Sequence, residues 1–193
     1  MTYVVVAVPT DVLRALASRG EWSHIRPLRG ISQWPVLRPD GTILDQPGYD
    51  LDTGLLCEPT VVVRVPESPT REDARDALRL LKDLVNDFPF PSDAHRSAWV
   101  AALLSVLARP AIDGPVPLTL VDANERGSGK SLLCDVIGVI LSGRRLPRRT
   151  APDEPAEWRK AMLAIAIAAD PVILIDNVTR TLRSDALDTV LTG

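Results

Sequence analysis

Apolar and polar positions fall into two regimes along the chain. Through residue 67 the apolar residues come in short runs broken by turn formers. Residues 4–8, Val-Val-Val-Ala-Val, read as a strand, and 9–18 as a short helix started by Pro9 or Thr10. Pro39-Asp40-Gly41 is a turn signal between Val36-Leu37 and Thr42-Ile43-Leu44. A loop over 46–54, rich in Pro, Gly and Asp, leads to Leu55-Leu56-Cys57 and then to the valine run 61–65. Together these predict a small mixed α+β, β-rich N-terminal module over residues 1–67.

Beyond the prolines at 66 and 69 the period changes. Thr70 and Asp73 stand at capping-box spacing, and Ala74, Ala77, Leu78, Leu81, Leu84 and Val85 follow on one helical face. Phe88-Pro89-Phe90-Pro91 ends that helix. Ser92 is placed to cap a second, carrying Trp99, Leu103, Val106 and Leu107, until Arg109-Pro110 stops it. The run 117–121 then reads as a strand. Leu132, Leu133, Val136, Ile137, Val139, Ile140 and Leu141 predict a helix apolar on most of its surface, sandwiched between a sheet and other helices and closed by Gly143. A basic loop at 144–149, a helix over 153–169 with Pro155 in its first turn, a buried parallel strand at 172–176 and a helix over 184–191 complete the pattern. Alternating strand and helix over 117–193 predict an α/β layer structure, and with the two helices leading into it a second domain spans 68–193.

The chemistry lies in Asn124-Glu125-Arg126-Gly127-Ser128-Gly129-Lys130-Ser131, between the expected strand at 117–121 and the helix that Leu132 continues. A Gly-rich loop in that setting turns successive backbone N–H groups onto a polyphosphate. The helix N-terminus adds positive potential, Lys130 reaches the β and γ phosphates, and the Ser131 hydroxyl ligates Mg²⁺. The Walker A pattern GxxxxGK[ST] asks for Gly where Asn124 stands; Asn tolerates left-handed backbone better than other non-Gly residues. Asp176 ends the later strand, where a carboxylate can hold the Mg²⁺ hydration shell opposite Ser131 in Walker B fashion. A strand-ending Asp is also an ordinary turn or cap residue. Asn177 follows where many ATPases place a catalytic Glu. Its amide cannot take a proton from water and would position the water or sense the γ-phosphate.

Composition narrows the classes. With 193 residues, 46% of them hydrophobic, the chain can bury a core, and a net charge of -3 gives no global attraction to nucleic acid. Arg144, Arg145, Arg148 and Arg149 could touch a phosphate backbone or form a solvated loop beside Asp153 and Glu154. Cys57 and Cys134 lack metal or redox spacing and are expected as reduced thiols. The apolar runs are too short to span a bilayer, and no basic segment precedes 4–8, so a cytoplasmic protein without a membrane segment is expected. His24 and His95 have no partners at ligand spacing. Trp22, Trp34, Trp99 and Trp158 read as packing residues, with an exposed Trp34 able to stack a base.

The octet 124–131 resembles the GPPGTGKT loop of AAA+ ATPases, matching at Gly127, Gly129, Lys130 and Ser131. The wider set is similar to the ATPase region of phage and plasmid primase-helicase proteins. It comprises Phe88-Pro89-Phe90, Ser92-Asp93, Arg96-Ser97-Ala98-Trp99, Leu107-Ala108-Arg109-Pro110, Val121-Asp122-Ala123-Asn124 and Leu174-Ile175-Asp176-Asn177. Leu37-Arg38-Pro39-Asp40-Gly41, Pro47-Gly48-Tyr49-Asp50 and Thr53-Gly54-Leu55 resemble the segment before that region. The resemblance implies a P-loop NTPase-type parallel sheet flanked by helices, ATP and Mg²⁺ as cofactors, DNA as a partner, and a homo-oligomeric ring with nucleotide at the subunit interface. Such ATPases need a polar residue on a further strand and an arginine from a neighbouring subunit. The chain therefore reads as an incomplete ATPase domain, expected to bind ATP with little turnover alone. A non-catalytic nucleotide-binding remnant or regulatory module, and a small-molecule kinase using the 144–149 arginines as a lid, are the alternatives.

Overall fold

A computed structural model of the chain describes residues 7–20, 22–63, 65–125, 127–179, 181–182 and 184–192. Arg126 and most of the expected strand at 4–8 lie outside them. Among the described residues are six α-helices and three small sheets, an α/β arrangement.

The N-terminal part holds α1 (Thr10–Ser18), β1 (Gly30–Ser32), β2 (Val36–Leu37), β3 (Ile43–Leu44), β4 (Gly48–Tyr49) and β5 (Leu55–Cys57). The Pro39-Asp40-Gly41 turn joins β2 to β3 as an antiparallel pair, with Val36 opposite Leu44. Asp40 accepts from the Thr42 N–H at 2.9 Å, and Gly41 takes a φ of 85° that only glycine adopts readily. The mixed sheet β1-β5-β4 pairs β1 parallel and β4 antiparallel to β5. Part of the expected 46–54 loop is thus the strand β4. Arg38 clamps the sheets together, donating to Asp50 Oδ1 at 3.0 and 3.2 Å and to the Ile43 carbonyl at 2.9 Å. The described residues of the valine run form no strand: Val61, Val62 and Val63 are exposed, and no strand among the described residues offers them a ladder.

The remaining helices are α2 (Arg71–Leu84), α3 (Asp93–Leu107), α4 (Lys130–Ser142), α5 (Pro155–Ala168) and α6 (Asp185–Thr192). The expected capping box opens α2: Thr70 Oγ1 accepts from the Asp73 N–H at 3.2 Å, and Asp73 Oδ2 accepts from the Thr70 N–H at 2.8 Å. Only Leu81 and Val85 of its apolar face reach the core; Leu78 and Leu84 are exposed. Ser92 precedes α3 but does not cap it through its side chain, which bonds His95 Nδ1 at 2.9 Å instead.

Two expectations about the sheet are corrected. Residues 117–121 form no strand, and Leu118 and Leu120 face solvent, Leu120 at 75% exposure. β6 (Arg148–Thr150) pairs instead with β7 (Leu174–Asp176), in parallel register with Thr150 opposite Asp176. The basic loop therefore ends as a strand, and the parallel sheet has two strands among the described residues. With so little sheet to cover it, α4 is not sandwiched: Leu133, Ile137 and Leu141 are buried, while Leu132, Val139 and Ile140 are exposed.

One core joins both parts of the chain. Trp34, Val36, Leu44 and Cys57 pack in a single cluster with Val85, Trp99, Val100, Leu103, Leu133, Ile137 and Leu141. Trp34, expected as a packing residue with base stacking as the alternative, is 7% exposed within it, so it packs. The accessible surface of 14670 Å² exceeds the roughly 9,000 Å² typical of a compact 21.0 kDa chain, in keeping with the uncovered apolar side chains.

Candidate functional site: the Gly-rich loop and Asp176

The loop before α4 is shaped by glycine. Gly127 and Gly129 take φ values of 79° and 85°, left-handed backbone in which a side chain would be strained. Gly129 has a second reason to be small: a Cβ there would meet the Phe88 ring at 3.1 Å. The Phe-Pro-Phe segment after α2 thus supports the loop from beneath, and Trp99 fixes the helix that follows by donating from Nε1 to the Leu133 carbonyl at 3.0 Å.

The helix begins at Lys130, so the first N–H groups of α4 face the loop without intrahelical partners. Lys130 Nζ bends back across the loop to the Glu125 carbonyl at 3.3 Å, placing the ammonium at the loop rather than in open solvent. The Ser128 hydroxyl is buried without a hydrogen-bond partner, an unusual state for a native polar group and one that a bound oxygen would relieve. Asn124, Glu125 and Leu132 are exposed, the first two at the loop mouth. Arg126 lies outside the described residues.

Ser131 and Asp176, distant in sequence, meet. Ser131 Oγ lies 3.2 Å from Asp176 Oδ1 and 3.1 Å from Oδ2. The parallel register with β6 sets the end of β7 beside the first turn of α4. Asn177 follows with φ 56° and donates its backbone N–H to Asp176 Oδ1 at 2.9 Å, while its side chain is exposed. No cluster of three or more His, Cys, Asp or Glu residues able to hold a metal exists among the described residues. One carboxylate and one hydroxyl still suit Mg²⁺, which keeps several waters and takes substrate phosphates as further ligands.

The four arginines of 144–149 are exposed, and three of them lie near acids of the chain. Arg148 pairs with Asp135 and lies 3.8 Å from Asp176 Oδ2, Arg145 lies 3.7 Å from Asp135, and Arg149 lies 3.9 Å from Asp170. Asp135 escaped the sequence reading. Its signal is an acid inside the apolar stretch Leu132-Leu133-Cys134-Asp135-Val136-Ile137, one helical turn after Ser131. Cys134, half-buried beside these acids, has its thiol pKa raised by burial and then by the Asp135 and Asp176 charges, so it stays protonated. Among the described residues no helix is long and apolar enough to cross a membrane.

Comparison with protein-family models found no match, and comparisons with curated proteins and with solved structures found none either.

Proposed function

We propose that this chain binds ATP as its Mg²⁺ complex in the 124–131 loop, as the nucleotide-binding portion of a cytoplasmic mobile-element replication helicase or primase-helicase. The observation that carries the nucleotide role is the meeting of Ser131 and Asp176 at 3.1 Å, beside a loop whose two glycines are left-handed and whose lysine lies across it. A chance Gly-Ser-Gly-Lys-Ser surface turn would have no reason to bring a strand-ending carboxylate onto its serine.

Each residue then has a task. Backbone N–H groups around Gly127, Ser128 and Gly129 receive phosphate oxygens, and the buried Ser128 hydroxyl finds an acceptor. Lys130 exchanges the Glu125 carbonyl for the β and γ phosphates. Ser131 and Asp176 hold the cation, which supplies charge neutralisation at the phosphates. Asn177 orients water without accepting its proton. DNA as partner and assembly into a ring rest on the primase-helicase resemblance alone, and this chain by itself is expected to bind nucleotide with little turnover. A kinase lid gains no support from 144–149, since Arg145, Arg148 and Arg149 pair with acids of the chain itself.

The test is a titration with a fluorescent ATP analogue in excess Mg²⁺. Lys130→Ala should weaken binding at least about tenfold, the order expected when a desolvated charge-assisted contact is lost. Equal affinity of the two proteins would remove the nucleotide role.

A further inference from the structure

Asp135 is a buried acid that the proposed nucleotide chemistry leaves unused. It stands one turn after Ser131 on the same face of α4 and is 3% exposed. Its Oδ1 is buried with no hydrogen-bond partner, while its Oδ2 receives Nη2 of Arg148. The other terminal nitrogen of that guanidinium, Nη1, lies 3.8 Å from Asp176 Oδ2, on the carboxylate that also contacts Ser131. One side chain from β6 thus spans a buried anchor and the acid of the candidate cation site. Gly138 makes this possible: a Cβ there would meet the Arg144 carbonyl oxygen at 2.6 Å, so only glycine lets the arginine segment pass this close to α4.

We infer that Arg148 is a built-in counter-cation for Asp176. Its guanidinium sits in the field that a divalent cation would use and competes with it, and Asp135 holds the arginine in reach. This rests on Ser131 and Asp176 being the cation ligands. A metal ion entering there meets a fixed positive charge about 4 Å from its ligand, a repulsion that at a partly exposed site changes a binding constant by about tenfold after screening. Arg148 therefore sets the threshold concentration at which the site takes up Mg²⁺. It is a positioning residue that acts through Asp176.

The test is Mn²⁺ binding without nucleotide, read from loss of the free-ion EPR signal. Arg148→Gln alone leaves Asp135 buried and unpaired and so endangers folding. The double variant Arg148→Gln/Asp135→Asn keeps both the net charge and a neutral hydrogen-bonding pair. It should bind Mn²⁺ about tenfold more tightly than Asp135→Asn alone, which keeps the guanidinium, and adding Asp176→Asn should abolish the gain. Affinity of the double variant equal to or below that of Asp135→Asn overturns the inference. If Asp176→Asn changes nothing in the wild-type background, the cation role of Asp176 falls instead. A second readout needs no variant: Mg²⁺ titrated into the wild type should shift the Arg148 Nε–H resonance, and an unmoved resonance at saturation refutes the competition.

Discussion

Replacing Gly138 by Ala sets two effects of known sign against each other. In the middle of a helix Ala is favoured over Gly by about 1 kcal/mol, so propensity alone makes the substitution stabilising. The added Cβ, however, would lie 2.6 Å from the Arg144 oxygen, 2.8 Å from the Leu146 nitrogen and 3.1 Å from the Arg145 carbonyl carbon. Ordinary contact begins at 3.4 Å, so the backbone of that segment must retreat by roughly 0.8 Å, and no flexible side-chain end can yield in its place. Overpacking of this kind costs typically 1–3 kcal/mol, and its upper range applies where backbone is the obstacle. Net destabilisation of about 1–2 kcal/mol should remain after the propensity gain. In urea, with a slope of about 1–3 kcal/mol per molar, the unfolding midpoint should fall by roughly 0.3–2 M. An unchanged or higher midpoint would mean that 144–146 do not cross α4 at Gly138, and the route that delivers Arg148 to Asp135 would be wrong.

Three further substitutions test the frame around the site. Leu103, 1% exposed at the centre of the shared core, should cost about 2–5 kcal/mol on truncation to Ala, read by chemical unfolding. Thr70→Ala, which removes one arm of the capping box, should cost about 1 kcal/mol by the same measurement. Asp50 has its pKa held below the ordinary 3.8 by the Thr53 hydroxyl and then by Arg38. A carboxyl with a lowered folded-state pKa contributes stability that is complete above its unfolded value and lost as pH falls through the folded one. The stability gap between wild type and Asp50→Asn should therefore be full near neutrality and shrink as pH drops below 3.8; a gap constant down to that region would contradict the contact.

What was legible in the sequence is what local chemistry fixes. The Asp40-Gly41 turn, the Thr70–Asp73 box, Pro155 at the start of α5 and the glycines before Lys130 each need only near neighbours, and each stands where the residues placed it. The meeting of Ser131 with Asp176 is legible because the proposed nucleotide role calls for a hydroxyl and a strand-ending acid side by side. Residues 117–121 misled because apolar composition reports suitability for burial, whereas a strand also requires a partner across the ladder. The arginines at 144–149 are exposed, as a solvated loop requires, but their partners were not legible. Arg148 stays at the surface while reaching Asp135, whose burial depends on how α4 packs. Trp34 packs as its apolar bulk suggests, but the partners it shares a cluster with are remote in sequence.

Central to the account is one cation shared by Ser131, Asp176 and the phosphates of the nucleotide. Calorimetric ATP affinity, measured with Mg²⁺ and again in EDTA, on wild type and Asp176→Asn, isolates that cation. Mg²⁺ should tighten ATP binding to the wild type, and Asp176→Asn should lose most of that increment while keeping its metal-free affinity. The same Mg²⁺ increment in both proteins would contradict the account.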